Sequence, residues 1–244
     1  SVAELGNVAY AQRIRIIALG ALARLPKALT NGVLNQDFDG DQIYTILQGV
    51  LFAQWQAVPA ALTWATYDPT TQWQDAENTG LGEIDRPGNY ELAQRSSDRI
   101  DVYSLVAALA SSGLGYLYED AQGLISYADS THRTTYLAVN GYVNLSANDA
   151  QGSGLSIQQR AGDVRNTITL QYGQNSQFEV SAADAASVAL YGELAQIFTT
   201  TVKHSADAQD QADFYLELRA YPQYNFNQIT YQLTNPEIDD SDRD

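Results

Sequence analysis

The sequence predicts an α+β fold with barrel-like β parts, and three observations carry the prediction. Helical stripes and alternating strands follow one another in mixed order. The strand-like runs are short and bounded by Gly, Asp, Asn and Ser. No repeat with a period of ~20–50 residues runs through the chain.

Taken in order, residues 8–18 alternate Arg13 and Arg15 with Ile14 and Ile16, the pattern of a half-buried strand. Residues 41–54 place Ile43, Ile46, Leu47, Val50 and Leu51 on one helical stripe. Asp39 stands where an N-cap belongs, and Asp41 lies in the first turn, where a carboxylate complements the macrodipole. Residues 59–89, rich in Thr, Asp, Gly, Pro and Trp, read as a long excursion with a short strand at 63–67. A second helix is predicted over 101–112, with Val102, Leu105, Val106 and Leu109 inward. Strands at 114–119 and 124–128 then form a hairpin about Asp120-Ala121-Gln122-Gly123, its late glycine supplying positive φ.

Residues 141–158, rich in Gly, Ser and Asn, read as a boundary zone with short strands. Residues 164–173 alternate most clearly of all, and a strand at 178–181 follows. A short helix capped by Ser181 and ended by Gly192 comes next, then a β-branched strand at 196–202. The helix predicted over 205–219 carries Ala208, Ala212, Tyr215 and Leu216 on one face and stops before Pro222. A strand over 226–234 closes the order.

The 244 residues are 45% hydrophobic and 17% charged, the balance of a globular chain with a sizeable core. Twenty-nine Asp and Glu face 13 Lys and Arg, a net charge of −16. Gripping a phosphate backbone needs clustered basic residues, which argues against a nucleic-acid binder. No apolar run approaches the ~20 residues of a membrane-spanning helix. These residues contain no cysteine, which removes disulfides, zinc ribbons and thiol catalysis from consideration. The chain opens on Ser1, contains no methionine and ends in the polar run NPEIDDSDRD, so a piece of a longer polypeptide is expected.

The stretch NQDFDGDQ (residues 35–42) is spelled much like the NADFDGD signature of multisubunit RNA polymerases, whose aspartates hold catalytic Mg2+. Counted from Asp37 as a calcium loop, however, the glycine falls at the fourth position and the twelfth is Gln48. Phosphoryl transfer also needs cations to position phosphates, and no Lys or Arg lies between Asn31 and Asp85. A capped helix start accounts for Asp37, Asp39 and Asp41 without a metal. The run Asp129-Ser130-Thr131-His132 contains the residue types of a hydrolytic triad, but sequence neighbours rarely converge as triads do, and no G-x-S-x-G elbow accompanies it. His132 and His204, the chain's two histidines, therefore read as surface or loop residues, and Gly152-Ser153-Gly154 as a loop. The run SSGLGYL leads into a strand, the wrong order for a dinucleotide loop. Trp55, Trp64 and Trp73 with 16 tyrosines offer material for stacking on sugars, although Tyr116, Tyr118 and Tyr127 sit where hairpin aromatics pack. No catalytic, cofactor-binding or metal residue is assigned.

Two segments carry a family resemblance. Residues 101–133, DVYSLVAALASSGLGYLYEDAQGLISYADSTHR, give a helix and then a hairpin with a D-x-x-G turn. Residues 164–238 give a strand, a Ser-containing helix ending Tyr-Gly, a strand, an Ala-rich helix with late Leu and Arg, a proline and a last strand. Both resemble the minor tail proteins of siphophages, of the tail-hub or baseplate-hub family. Residues 13–25 and the helix after Asp39 resemble the end of that family's first barrel and its next helix. The resemblance implies a tail-hub-like arrangement: 1–36 the end of a first barrel-like domain, 37–140 an inserted α+β subdomain, and 141–244 a second barrel-like domain with two helices. It further implies a non-enzymatic virion protein of the tail tip, a homotrimeric ring joining the tail tube to distal tip or receptor-binding proteins. An acidic lumen would let genomic DNA pass without specific binding. The alternative function is a glycan-binding or glycan-cleaving module of a tail tip, which Trp64→Ala or Trp73→Ala would disable.

Overall fold

The computed structural model of the chain describes residues 21–54, 81–120, 123–142, 156–159 and 161–228. After a 3₁₀ turn at Ala21–Lys27 come strands β1 (Leu29–Thr30) and β2 (Asp37–Phe38) and helix α1 (Asp39–Gln54). Strands β3 (Leu81–Ile84), β4 (Glu91–Leu92) and β5 (Ile100–Asp101) precede helix α2 (Val102–Ser112). Then follow β6 (Tyr116–Glu119), β7 (Ile125–Ala128), helix α3 (His132–Asn140), β8 (Ser156–Gln159), β9 (Thr167–Tyr172) and β10 (Phe178–Ala183). Helix α4 (Ala185–Tyr191), β11 (Ala195–Thr199), helix α5 (Ser205–Arg219) and β12 (Tyr224–Gln228) complete the order. Among the described residues the strands form five sheets of two or three strands, and none closes into a barrel. The α+β class holds.

Helix α1 buries Ile43, Ile46, Leu47 and Val50 against α2, which buries Val102, Leu105, Val106, Leu109 and Ala110. Both are the apolar stripes that the helical period spells. The Asp101 carboxylate caps α2 by accepting the Ser104 N–H at 2.8 Å. The hairpin β6–β7 is antiparallel, Tyr116 opposite Ala128, and Gly123 takes φ +79° at its turn. On its other side β7 pairs in parallel with β3, so all four β7 residues are buried, as befits the middle strand.

The second half is built on β9, whose Ile168, Leu170 and Tyr172 alternate inward under α5. It lies between antiparallel β10 and parallel β11. The return of the chain between the parallel strands is made by β10, and α4 then carries it past the end of β9 to β11. Buried Asn166 fastens that connection: its amide donates to the Gly192 carbonyl (2.7 Å) and its Oδ1 accepts the Leu194 N–H (2.7 Å).

Residues 91–93 join the halves. Ala93 N–H donates to the Thr201 carbonyl (2.7 Å) and Lys203 N–H to that of Glu91 (2.8 Å), around a bridge between Leu92 and Val202. Ser112, at the end of α2, accepts the Thr201 N–H on its hydroxyl (3.0 Å) and the Gln211 amide on its carbonyl (2.7 Å). One core thus runs from α1 and α2 to β9 and α5.

Three sequence expectations are corrected. Residues 132–140 form a helix where none was predicted. Strand β10 runs past Ser181 to Ala183, because its register with β9 continues to Ala183 opposite Thr167. The cap of α4 is accordingly Asp184, which accepts the Ser187 N–H at 2.8 Å, and not Ser181. The strands expected at 8–18 and 63–67, and the side chain of Leu51, lie outside the described residues. Asp184→Ala is expected to lower stability by about 1 kcal/mol, whereas Ser181→Ala stays within about 0.5 kcal/mol. Urea unfolding of the two variants beside the parent chain checks the assignment.

Candidate functional site

The Asp-Gly-Asp run opens α1, but its three carboxylates do not converge. Asp37 Oδ1 accepts the N–H of its neighbour Phe38 at 2.9 Å. Asp41 Oδ1 lies 2.6 Å from Arg86 Nε, and the Arg86 guanidinium stacks 4.0 Å from the centre of the Tyr44 ring. Asp39 is fully buried. Its Oδ2 accepts the Tyr127 hydroxyl at 2.5 Å and its Oδ1 accepts the Tyr90 N–H at 3.1 Å. The N-cap role expected of Asp39 is therefore corrected: the Asp39 and Asp41 N–H groups are satisfied by the carbonyls of Tyr90 (2.9 Å) and Pro87 (3.1 Å). Among the described residues no group of three or more His, Asp and Glu is placed to hold a metal.

Two glycines give the Asp39 carboxylate its room. A Cβ at Gly88 would stand 2.1 Å from Asp39 Oδ1, and one at Gly113 would stand 2.4 Å from Oδ2. Burial drives the Asp39 pKa above its ordinary value of 3.8, although its bonds from Tyr127 and Tyr90 act in the opposite sense. The Tyr127 phenol is likewise pushed well above its ordinary value, first by burial and then by the neighbouring Asp39 charge.

Beside this buried pair lies an open cleft of ≈ 590 Å3. The end of β3 and the turn after it, from Glu83 to Gly88, form one wall and α3 the other, with Tyr118 of the hairpin also lining it. The sequence builds the second wall by an Asx turn: Asp129 Oδ1 accepts both the N–H (2.7 Å) and the hydroxyl (2.8 Å) of Thr131, and α3 begins at the next residue. His132 Nδ1 sits 2.7 Å from Asp85 Oδ2, which also accepts the Asp129 N–H at 3.0 Å. The His132 ring in turn stacks on Tyr136, centroids 6.4 Å apart and planes inclined by 14°.

The triad-like run separates in the same way. His132 bonds Asp85, while the Ser130 hydroxyl accepts the Asn89 amide at 2.8 Å. His204 Nε2 is 2.6 Å from Glu91 Oε2. Both histidines thus pair with a carboxylate of the segment 85–91, an arrangement that no sequence spacing announces. Tyr116 and Tyr118 pack ring on ring at 5.6 Å, as hairpin aromatics were expected to. Trp55, Trp64, Trp73 and Gly152-Ser153-Gly154 lie outside the described residues. No described helix is long and apolar enough to cross a membrane.

No protein-family model matches the chain, and no curated protein matches it. Among solved structures, it is similar to the tail protein from Neisseria meningitidis MC58, with a TM-score of 0.46 and 9% identity over 80% of this chain and 51% of that one. It is also similar to the prophage tail protein gp18 from Listeria monocytogenes EGD-e, with a TM-score of 0.38 and 14% identity over 62% of this chain and 46% of that one. The chain therefore spans about half the length of each. Likeness at this level carries no conclusion about fold or function.

Asp39→Ala is expected to cost about 1–3 kcal/mol, because it leaves the Tyr127 hydroxyl buried without its acceptor. Asp39→Asn supplies the sign of the pH dependence. A carboxyl whose folded pKa is raised contributes most below its unfolded value of 3.8 and loses that contribution as pH rises through the folded value. The stability difference between the parent chain and Asp39→Asn should therefore move against the parent as pH rises from 3.8 toward neutrality. Urea unfolding of both across that range measures it.

Proposed function

We propose that this chain is a structural, non-enzymatic component of a phage tail tip, a trimeric hub ring joining the tail tube to distal tip or receptor-binding proteins. In this reading it continues the DNA channel. What supports it is the way the two resembling segments fold. Residues 101–133 form helix α2, the hairpin β6–β7 with Gly123 at its turn, and the start of α3. Residues 164–228 form β9, β10, a helix ended by Gly192, β11, α5 and β12, the order of the family's second segment with one strand, β10, added.

The proposal extends to the division at 36 and 140 and to barrel closure in the assembled ring. Strands β10 and β11 are the outer strands of their sheet among the described residues, and Phe178 and Ile197 on them are exposed. Neighbouring strands in a ring would cover both. The charge of −16 suits a channel past which DNA slides, since like charges keep the duplex from adhering.

Native mass spectrometry and electron microscopy of the component taken from its source particle test the reading. A threefold ring with a central channel is expected. A stable monomer from the full-length native protein would sink it.

A further inference from the structure

The cleft between the Glu83–Gly88 turn and α3 is not used by the tail-tip reading, yet it is built to a definite chemistry. Helix α3 buries none of its nine side chains, and Tyr136 lines the cleft with 55% of its surface exposed. Packing does not explain an aromatic ring in that position. The ring has an aromatic neighbour one helical turn away. Asp85 holds the His132 imidazole at 2.7 Å, and the imidazole lies nearly parallel to the Tyr136 ring. A flat, half-exposed aromatic face lining a cleft is a platform for a ligand that also has a flat apolar face.

The polar lining narrows the class. Glu83, Asp85 and Asp129 bring three carboxylates to the cleft, and the one arginine there, Arg86, is engaged by Asp41 and by the Tyr44 ring. An anionic ligand would meet net repulsion. Carboxylate acceptors instead call for a ligand rich in hydroxyl donors. The volume, ≈ 590 Å3, falls in the ~300–1,000 Å3 range of small-molecule sites. We propose that the cleft binds a neutral carbohydrate, with the C–H face of one pyranose ring laid on Tyr136 and its hydroxyls donating to the carboxylates of Glu83 and Asp129. The proposal does not depend on the ring: binding without a ring, or a ring without binding, separates the two readings.

The test is a ligand-observed NMR titration of the 244-residue chain with maltose, lactose, chitobiose and rhamnose. Sialyllactose serves as an anionic probe and tetramethylammonium as a cationic one. Saturable binding of at least one neutral sugar at millimolar concentration is expected, with none of sialyllactose. Tyr136→Ala should weaken that binding by roughly tenfold, the scale of one lost ring contact, and Tyr136→Phe should retain it. Because Tyr136 is exposed, the alanine variant should fold, which circular dichroism checks. Tyr103→Ala, on the exposed side of α2, should leave binding unchanged. The proposal is overturned if none of the four neutral sugars binds, if Tyr136→Ala binds as well as the parent, or if tetramethylammonium binds more tightly than every sugar.

Discussion

The interaction on which the rest of this structure depends is the buried bond between the Asp39 carboxylate and the Tyr127 hydroxyl. It draws together three parts of the chain that are far apart in sequence: the first residue of α1, the middle strand of the three-stranded sheet and, through the Tyr90 N–H, the segment between β3 and β4. Each group would be costly to bury alone, since an unpaired hydroxyl or carboxyl away from water loses its hydration without return. Together they satisfy one another, and the neighbouring chain must be bare enough to let them meet. That is the physical reason for glycine at 88 and 113, where any side chain would collide with the carboxylate.

The cleft inherits its geometry from this arrangement. Its first wall is the turn that feeds Tyr90 to Asp39, and its second is the helix that begins five residues after Tyr127. The two walls are then fastened to each other by Asp85, which holds both the His132 ring and the Asp129 N–H. The walls themselves lie outside the core, since α3 buries none of its side chains, and their ties to it run through Asp85 and Tyr90. The same segment reaches the other half of the molecule at residues 91–93, so the β9 sheet and the cleft are referred to one frame.

What was legible in the sequence follows from how local each determinant is. Helices α1, α2 and α5 and the hairpin were readable because their apolar stripes, alternation and turn glycine all lie within a dozen or so residues of one another. Helix α3 was not, because HRTTYLAVN is only nine residues long and packs none of them into the core; it is set by an Asx turn at its start and Gly141 at its end. Ser181 looked like a cap because its residue type fits, but pairing with β9 carried the strand two residues further. Asp39 also had the right type and position for a cap, and only the folded chain shows that its partner is a tyrosine 88 residues away. The Asp85–His132 pair is invisible for the same reason, being a contact across 47 residues between groups with no motif of their own.

The bridge between Leu92 and Val202 has a consequence for how the molecule is made. Some 110 residues separate the two, and at ~5–20 residues per second a ribosome takes on the order of ten seconds to cover that span. During that interval the segment around Leu92, one of the most deeply buried parts of the finished core, can pair with β2 on one side, but the side that Val202 will take has no partner. The first half can therefore form its own pairing and core contacts early, while one edge of β4 stays open until the residues around Val202 are made.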